Sequence, residues 1–522
     1  MVWDIHAKQG NELHKCRWEI VQYTRGRGLD IGCGPGKTFS HFIGVDNGVD
    51  QLLYSIPIKP DVWINDAGDL SVFASQTMDF AVSSHLLEHI PYERVPAVLK
   101  EWFRVLKMGG YLSLYLPASG LYPDPGELGA NSDHKWAVTK EKVLEAMDAL
   151  SWDLVDYQLR DQLDEYSHLL IFRKAQKGHA FSCDKPKPTK TVGICRFGAY
   201  GDAMQLSSVM AGLKKQGYHT TLYCSPPGDE VLLHDPNIDV FHYQDKDQVP
   251  NMHLKDFWDY HQKKFDKWIN LSESVEGSLL AIADRTQHWW NPATRHRYMN
   301  INYLEFQHMI AGVPHDPQVH FYSTTEEKAW AREQRSRMGE FVLVWSLSGS
   351  SVHKTWAGLD RTIASLLIDF PDLEVVLVGG QDGVLLEQGW ENEKRVHKRS
   401  GKWTIRQTLS FLAQADMVVG PETGVLNAAC QLEIPKVIFL SHSTEENLTR
   451  DWVNTHVLKS ENTVCPGRGN NEAPACHQMH YGWAHCKKSH ESTAQCMTDI
   501  DGEQAYKVIW FCVQTALERK VA

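Results

Sequence analysis

Three sets of residues in this chain are spaced to do chemistry. The first is Asp30-Ile31-Gly32-Cys33-Gly34-Pro35-Gly36, followed by Asp46 and then Asp66. Glycines directly after the apolar run Leu29–Ile31 let the backbone turn sharply and approach a ligand, because no Cβ stands in the way. Asp46 ends the next apolar run, where a carboxylate can accept hydrogen bonds from both hydroxyls of a ribose. Asp66 lies in Asn65-Asp66-Ala67-Gly68, placed to reach an adenine amino group. The second set is Arg196-Phe197-Gly198-Ala199-Tyr200-Gly201-Asp202, with Asp202 at the edge of a helical pattern. An acid there is either a helix cap, worth about 1 kcal/mol, or a carboxylate that takes a proton from an acceptor hydroxyl. The third set combines Ser346-Leu347-Ser348-Gly349-Ser350-Ser351-Val352-His353-Lys354 with Gly420-Pro421-Glu422-Thr423-Gly424. Small hydroxyl residues and a lysine after a strand suit an anionic diphosphate, since helix N-terminal amides and an ammonium both complement phosphate oxygens. Lys354 would neutralise a leaving diphosphate.

Alternating strands and helices must position these sets. Apolar runs at Leu29–Ile31, Phe42–Val45, Val62–Ile64, Phe80–Val82 and Tyr111–Leu116 alternate with helical patterns such as Val95–Leu106, as in a parallel sheet. A lead-in helix is expected over Leu13–Tyr23 and a further helix over Val138–Leu150, before closing strands Leu154–Leu159 and His168–Phe172. Lysines and two prolines between Arg173 and Lys190 read as a linker. Alternation restarts with strand Val192–Cys195, helix Asp202–Lys215 and strand Thr220–Cys224. Residues 225–335 carry no clear period. A last alternating stretch opens at Phe341–Leu347 and closes with a helix near Glu503–Leu517. The expected organisation is therefore 1–175, a linker at 176–190, then two lobes at 191–335 and 336–522.

The glycine spacing G-x-G-x-G, with Lys37 next, departs from the dinucleotide fingerprint G-x-G-x-x-G. Together with Asp79-Phe80-Ala81-Val82-Ser83-Ser84-His85-Leu86-Leu87-Glu88-His89-Ile90 and Arg104-Val105-Leu106-Lys107-Met108-Gly109-Gly110, it resembles the class I S-adenosylmethionine-dependent methyltransferases over roughly residues 20–175. The resemblance implies a Rossmann-like α/β domain, S-adenosyl-L-methionine as cofactor, and Asp30, Gly32, Gly34, Gly36, Asp46, Asp66 and Ser84 around it. One departure is clear: only Lys37–His41 separate Gly36 from the next strand, too few for more than about one helical turn. For transfer to a hydroxyl, His134 in Ser132-Asp133-His134-Lys135-Trp136 is a general-base candidate or a surface histidine. Glu88 and His89 either solvate their turn or take part in catalysis.

From Thr191 onward the chain resembles glycosyltransferase family 9, the ADP-heptose:lipopolysaccharide heptosyltransferases. That family implies a two-lobed GT-B α/β fold and metal-independent transfer from a nucleotide-sugar donor. It matches Asp202 to a general base, Lys354 to a donor-phosphate lysine, and Ser348 with Glu422-Thr423-Gly424 to donor binding. Glu422 and Asn427 depart from the family's aspartate and histidine, so the donor need not be ADP-heptose. The tail holds Cys465, Cys476, Cys486 and Cys496 without the Cys-x-x-Cys pair of a strong zinc site; the resemblance implies a family-specific cysteine-rich loop, with a structural zinc as the alternative and no metal assigned.

Composition narrows the partners. A net charge of −12 counts against general nucleic-acid binding, which needs phosphate-neutralising Lys and Arg. An odd count of 11 scattered cysteines is not a disulfide framework. With no secretory signal and no apolar run of membrane-spanning length, the expected setting is a reducing cytoplasm. The expected function is a bifunctional glycan-modifying enzyme, with small-molecule donors and a glycan acceptor. The alternatives are a nucleobase or protein acceptor, or one non-catalytic half.

Overall fold

Short aliphatic runs broken by glycine turns pair into three main sheets, beside a two-stranded ribbon of Ser489–His490 and Thr493–Ala494. The computed structural model describes residues 12–49, 57–184, 188–245, 248–273, 301–349, 354–441, 443–461, 489–490 and 493–521. The first sheet contains β1 (Gly28–Ile31), β2 (Ile43–Asp46), β3 (Val62–Trp63), β4 (Met78–Ser84), β5 (Leu106–Pro117), β6 (Trp152–Arg160), β7 (Ser167–Lys174) and β8 (His179–Phe181). Their order is β3-β2-β1-β4-β5-β7-β6-β8. β1 pairs in parallel with both β2 and β4, Leu29 lying opposite Ile43 and Ala81, whereas β7 runs antiparallel to β5 and β6. All four β1 residues are buried, as a central strand covered on both faces requires. The helix Val95–Val105 sends Val98, Leu99 and Trp102 into that core, and Thr139 caps the helix Lys140–Ala146 by accepting the Lys142 amide.

The second sheet has β9 (Thr191–Arg196), β10 (His219–Cys224), β11 (Val240–Tyr243) and β12 (Lys267–Asn270) in the order β11-β10-β9-β12. The third has β13 (Phe341–Ser346), β14 (Leu373–Val378), β15 (Val396–Lys398), β16 (Met417–Pro421), β17 (Lys436–Leu440) and β18 (Thr455–Lys459) in the order β15-β14-β13-β16-β17-β18, parallel throughout. Its core centres on Trp345, Trp356 and Phe439, with Ile509 and Val513 contributed by the C-terminal helix. In all three sheets the order reverses beside the first strand: the chain works outward in one direction, then returns to the other side. The fold class is α/β, a Rossmann-like sheet followed by two further sheets with the same reversal of strand order. Among the described residues no helix is long and apolar enough to cross a membrane.

The chain divides into two compact units, Met1–Pro188 with Tyr243–Lys263, and Thr189–His242 with Lys264–Ala522. This differs from the organisation expected from the sequence in two places. Within the anticipated linker 176–190, His179–Phe181 forms β8 and pairs with β6. Within the anticipated lobe 191–335, Tyr243–Lys263 belongs to the first unit, and the physical reason is a buried, well-bonded seam. Phe257 and Trp18 meet edge-on at 5.8 Å, and the His261 ring bonds the Trp18 carbonyl at 3.0 Å. Gln248 Nε2 donates to the Val21 carbonyl at 2.7 Å, and the Gly26 amide donates to Asp245 at 2.7 Å. Tyr260 donates to Glu19, which itself lies 3.6 Å from Arg160. Short runs with few large aliphatics hid the helix Leu254–Gln262 in a stretch that looked irregular.

Phe257 is fully buried, so Phe257→Ala should cost about 3–5 kcal/mol. In the full chain the amides of Trp18–Thr24 should exchange faster with deuterium, while those of Phe341–Ser346 keep their wild-type rates. Unchanged exchange over Trp18–Thr24 would show that the inserted segment does not hold the first unit together.

Candidate functional site

Gly32 and Gly34 leave the end of β1 in the left-handed region, at φ +74° and +57°. Among the described residues, no atom lies within 4 Å of the Cβ direction of Gly34. At Gly32 a Cβ would sit 2.9 Å from the Leu86 side chain, so the stretch after β4 packs against the loop. Asp46 organises this turn: one carboxylate oxygen accepts the Gly34 amide at 3.0 Å and the other the Gly48 amide at 2.7 Å. Among the described residues those bonds occupy two of its four lone-pair positions. Between Gly36 and β2 the described chain forms no helix, as the five-residue spacing required.

The remaining cofactor candidates divide. Asp30 lies beneath the loop, buried, with its Oδ2 accepting the Thr38 amide at 3.2 Å; it supports the turn from below. Burial pushes its carboxyl up to about 7, against the pull of that amide. Ser84 ends β4 next to the loop, and its buried Oγ has no partner among the described residues. Asp66 is engaged elsewhere: it accepts from Arg94 at 2.6 Å and from the Gly68 amide at 2.7 Å, and the guanidinium holds its carboxyl below the usual range.

The structure brings His134 to Glu88 and His89. The Lys135 amide donates to the Glu88 carbonyl at 2.7 Å, and Trp136 Nε1 to the Leu87 carbonyl at 3.1 Å, pinning this loop against the turn after β4. Glu88 Oε1 then has His134 Nε2 at 3.8 Å, His89 Nε2 at 3.9 Å and His85 Nδ1 at 3.8 Å. Neither carboxylate oxygen of Glu88 has a hydrogen-bond partner among the described residues. Burial pushes Glu88 up to about 8 and His134 down to about 4, the nearby His89 adding to the second shift. His85 itself sits at φ +47°, a conformation a non-glycine residue rarely adopts, with its Nε2 held by Ser167 at 3.0 Å.

In the second unit, Asp202 is the third residue of the helix Tyr200–Lys215. It accepts the Ala199 amide at 2.7 Å and pairs with Arg196 at 3.1 Å, the guanidinium being almost wholly buried. At the β13/β16 reversal, Ser346 Oγ lies 3.1 Å from Thr423 Oγ1, which also caps the helix Gly424–Ala429 through the Leu426 amide at 3.3 Å. Lys354 Nζ donates to the Glu422 carbonyl at 3.1 Å, and Ser348 donates to Asp382 at 2.9 Å. The Glu422 carboxylate turns inward and accepts the Ser441 amide at 2.6 Å and the Ser443 amide at 3.1 Å. A Cβ on Gly424 would come within 2.5 Å of the Tyr200 Cβ, so the two helix starts meet through this glycine. Gln205 reaches across to Asn427 at 3.4 Å. Ser350–His353, Cys465, Cys476 and Cys486 lie outside the described residues. Cys496 points its thiol to the Ser441 carbonyl at 3.7 Å.

Sequence reasoning missed Arg94, Arg196, Ser441 and Ser443. Each acts through contacts with no local spacing signal, although Arg196 stood within the quoted stretch.

Residues 29–114 match the sequence model of a methyltransferase domain, so this part of the first unit is a methyltransferase domain. No curated protein matches the chain in sequence. Among solved structures, the chain is similar to a family 9 glycosyl transferase from Veillonella parvula, at 15% identity over 63% of this chain and 98% of that one, TM-score 0.46. It is similar to the E. coli ADP-heptose lipopolysaccharide heptosyltransferase II at 14% identity, over 64% and 100% of the two chains, TM-score 0.45. It is also similar to a SAM-dependent methyltransferase from Methanosarcina mazei at 19% identity, over 29% and 93%, TM-score 0.23.

Asp30 sets a pH dependence. Its folded value of about 7 exceeds its ordinary 3.8, so between these values the folded chain holds a proton that the unfolded chain has lost. Its contribution to stability therefore falls as pH rises from about 4 to 7. Asp30→Asn cannot ionise yet still offers an oxygen to Thr38, so the variant should lose less stability than wild type between pH 5 and 7.5 in urea unfolding. An equal loss in both would show that Asp30 is already ionised at pH 5.

Proposed function

We propose that this chain is a bifunctional glycan-modifying enzyme. The first unit methylates a hydroxyl from S-adenosylmethionine, and the second transfers a sugar from a nucleotide-sugar donor to an acceptor hydroxyl. The observation that carries the reading is that each residue set stands where the strand order of its own sheet reverses. In open α/β sheets, ligands bind in that crevice, beyond the carboxyl ends of the strands.

Among the described residues of the first unit, the open side of Gly34, the remaining lone pairs of Asp46 and the unpartnered Ser84 hydroxyl fit a nucleoside-bearing cofactor. When bound, S-adenosylmethionine supplies a methyl group on a sulfonium. The chain's work is to hold the acceptor oxygen in line with it, and positioning alone accounts for much of such an acceleration. His134, Glu88 and His89 border the end of β4 and face the acceptor side of this reaction.

In the second unit, Lys354 and the Ser346–Thr423 pair form the anion-binding part of the β13/β16 crevice, and the bonds to Ala199 and Arg196 orient Asp202 as general base. Glu422 supports this crevice from behind through Ser441 and Ser443. A second reading, with a binding module in place of a working donor site, draws on the engagement of Asp66 by Arg94. An ADP-linked donor belongs to the proposal and follows from the sequence resemblance; a cytoplasmic setting belongs to it too and follows from the scattered cysteines and the lack of a secretory signal.

Calorimetry on the full chain tests it. Asp46→Ala should lose S-adenosylmethionine binding and keep nucleotide-sugar binding, whereas Lys354→Ala should do the reverse. Asp202→Asn should bind its donor normally and lower sugar transfer by about 10²–10⁴-fold. Failure of the wild-type chain to bind the methyl donor would reduce the first unit to a scaffold.

A further inference from the structure

The least comfortable group in the first unit is Glu88. It is fully buried, and both of its oxygens lack hydrogen-bond partners among the described residues. A buried carboxylate without a partner is costly, and native structures normally pair such a group or bind it to a metal. Here the neighbours are imidazoles, each aiming a ring nitrogen at the same oxygen from 3.8 or 3.9 Å. That gap is too wide for a hydrogen bond. It is within reach of a shared cation, because ligands 2.0–2.2 Å from one ion lie at most about 4.4 Å apart.

We propose that Glu88, His89 and His134 form a site for a divalent transition-metal ion, held by one carboxylate and two imidazoles. Their ligand atoms lie within 4.8 Å of one another, so a small rotation of an imidazole brings all three to one ion. Imidazole ligands favour zinc, iron, nickel or copper over magnesium or calcium, which prefer oxygen. Two hydrogen bonds, Lys135 to Glu88 and Trp136 to Leu87, fix the loop that brings in His134. His85 Nδ1 also lies 3.8 Å from Glu88 Oε1, but His85 is not among the three residues whose ligand atoms converge within 4.8 Å of one another, so it stays out of the ligand set. The route in is past His89, whose side chain is 33% exposed. Three protein ligands leave a coordination position open, as in catalytic rather than structural sites.

The ion's role rests on the methyl-transfer reading. The Ser84–His89 stretch leaves β4 and packs Leu86 against Gly32, so the cluster borders the glycine loop. An acceptor hydroxyl bound at the open position becomes more acidic. Its proton leaves to solvent, its oxygen lone pair forms the O–CH3 bond, and the S–CH3 bond breaks with its electron pair returning to sulfur.

The test uses the full chain, stripped with chelator and titrated with cobalt(II), read by absorption and by elemental analysis. The expected result is about one equivalent bound without thiolate charge-transfer absorption, lost in Glu88→Gln and in His134→Ala and weakened in His89→Ala. S-adenosylmethionine binding by calorimetry should survive in all three variants, which separates loss of ligands from loss of fold. Cobalt uptake of the same stoichiometry and spectrum in all three variants would overturn the site, as would uptake carried wholly by thiolates. If cobalt binds as expected and S-adenosylmethionine does not bind, the site stands and the methyl-transfer reading fails.

Discussion

The reversal of strand order beside the first strand of each sheet is the constraint on which this molecule depends. β1, β9 and β13 each have a neighbour reached in one winding direction and another reached in the opposite one. Connections leaving the two strands therefore diverge, and the gap between them exposes backbone amides that nothing in the sheet can satisfy. Residues able to work in such a gap are narrowly limited. Gly32 and Gly34 meet the steric limit with left-handed backbone and, at Gly34, open space among the described residues. Ser346 and Thr423 meet the polar limit by bonding each other across β13 and β16.

A second theme is how the acids at the strand ends of the two units are treated. Asp46 and Glu422 are held by backbone amides, so their carboxylates are compensated by the fold itself. Asp202 is compensated by a buried guanidinium and an amide. Glu88 is the exception: more deeply buried than any of these, pushed up to about 8 by that burial, and faced among the described residues by histidines too distant to bond. The contrast within one chain makes the Glu88 cluster stand out as a place shaped for something that arrives from solution.

Much of the fold was legible in the sequence because central parallel strands are apolar on both faces and their turns demand glycine. β1, β9, β13 and the helix Tyr200–Lys215 fall where the apolar runs and periods put them. The edge strands β11, β15 and β18 were not legible: they are short, and part of each side faces solvent, so Val396–Lys398 and Thr455–Lys459 carry mixed residues. Nor could local pattern reveal that Tyr243–Lys263 packs on Trp18, since that seam joins residues more than 200 positions apart. At the sites, the acids and glycines were readable by type and spacing. What each acid touches was not: the Arg94 grip on Asp66 and the inward turn of Glu422 depend on partners far along the chain.

The most direct test of two donor crevices in one chain is hydrogen–deuterium exchange of the full protein, alone and with each donor class. S-adenosylmethionine should slow exchange over Ile31–Gly48 and Ser84–His89 and leave Ser346–Gly349 and Glu422–Asn427 unchanged, and a bound nucleotide sugar should do the opposite. Protection by either ligand away from these strand ends, or at both sets together, would contradict the account.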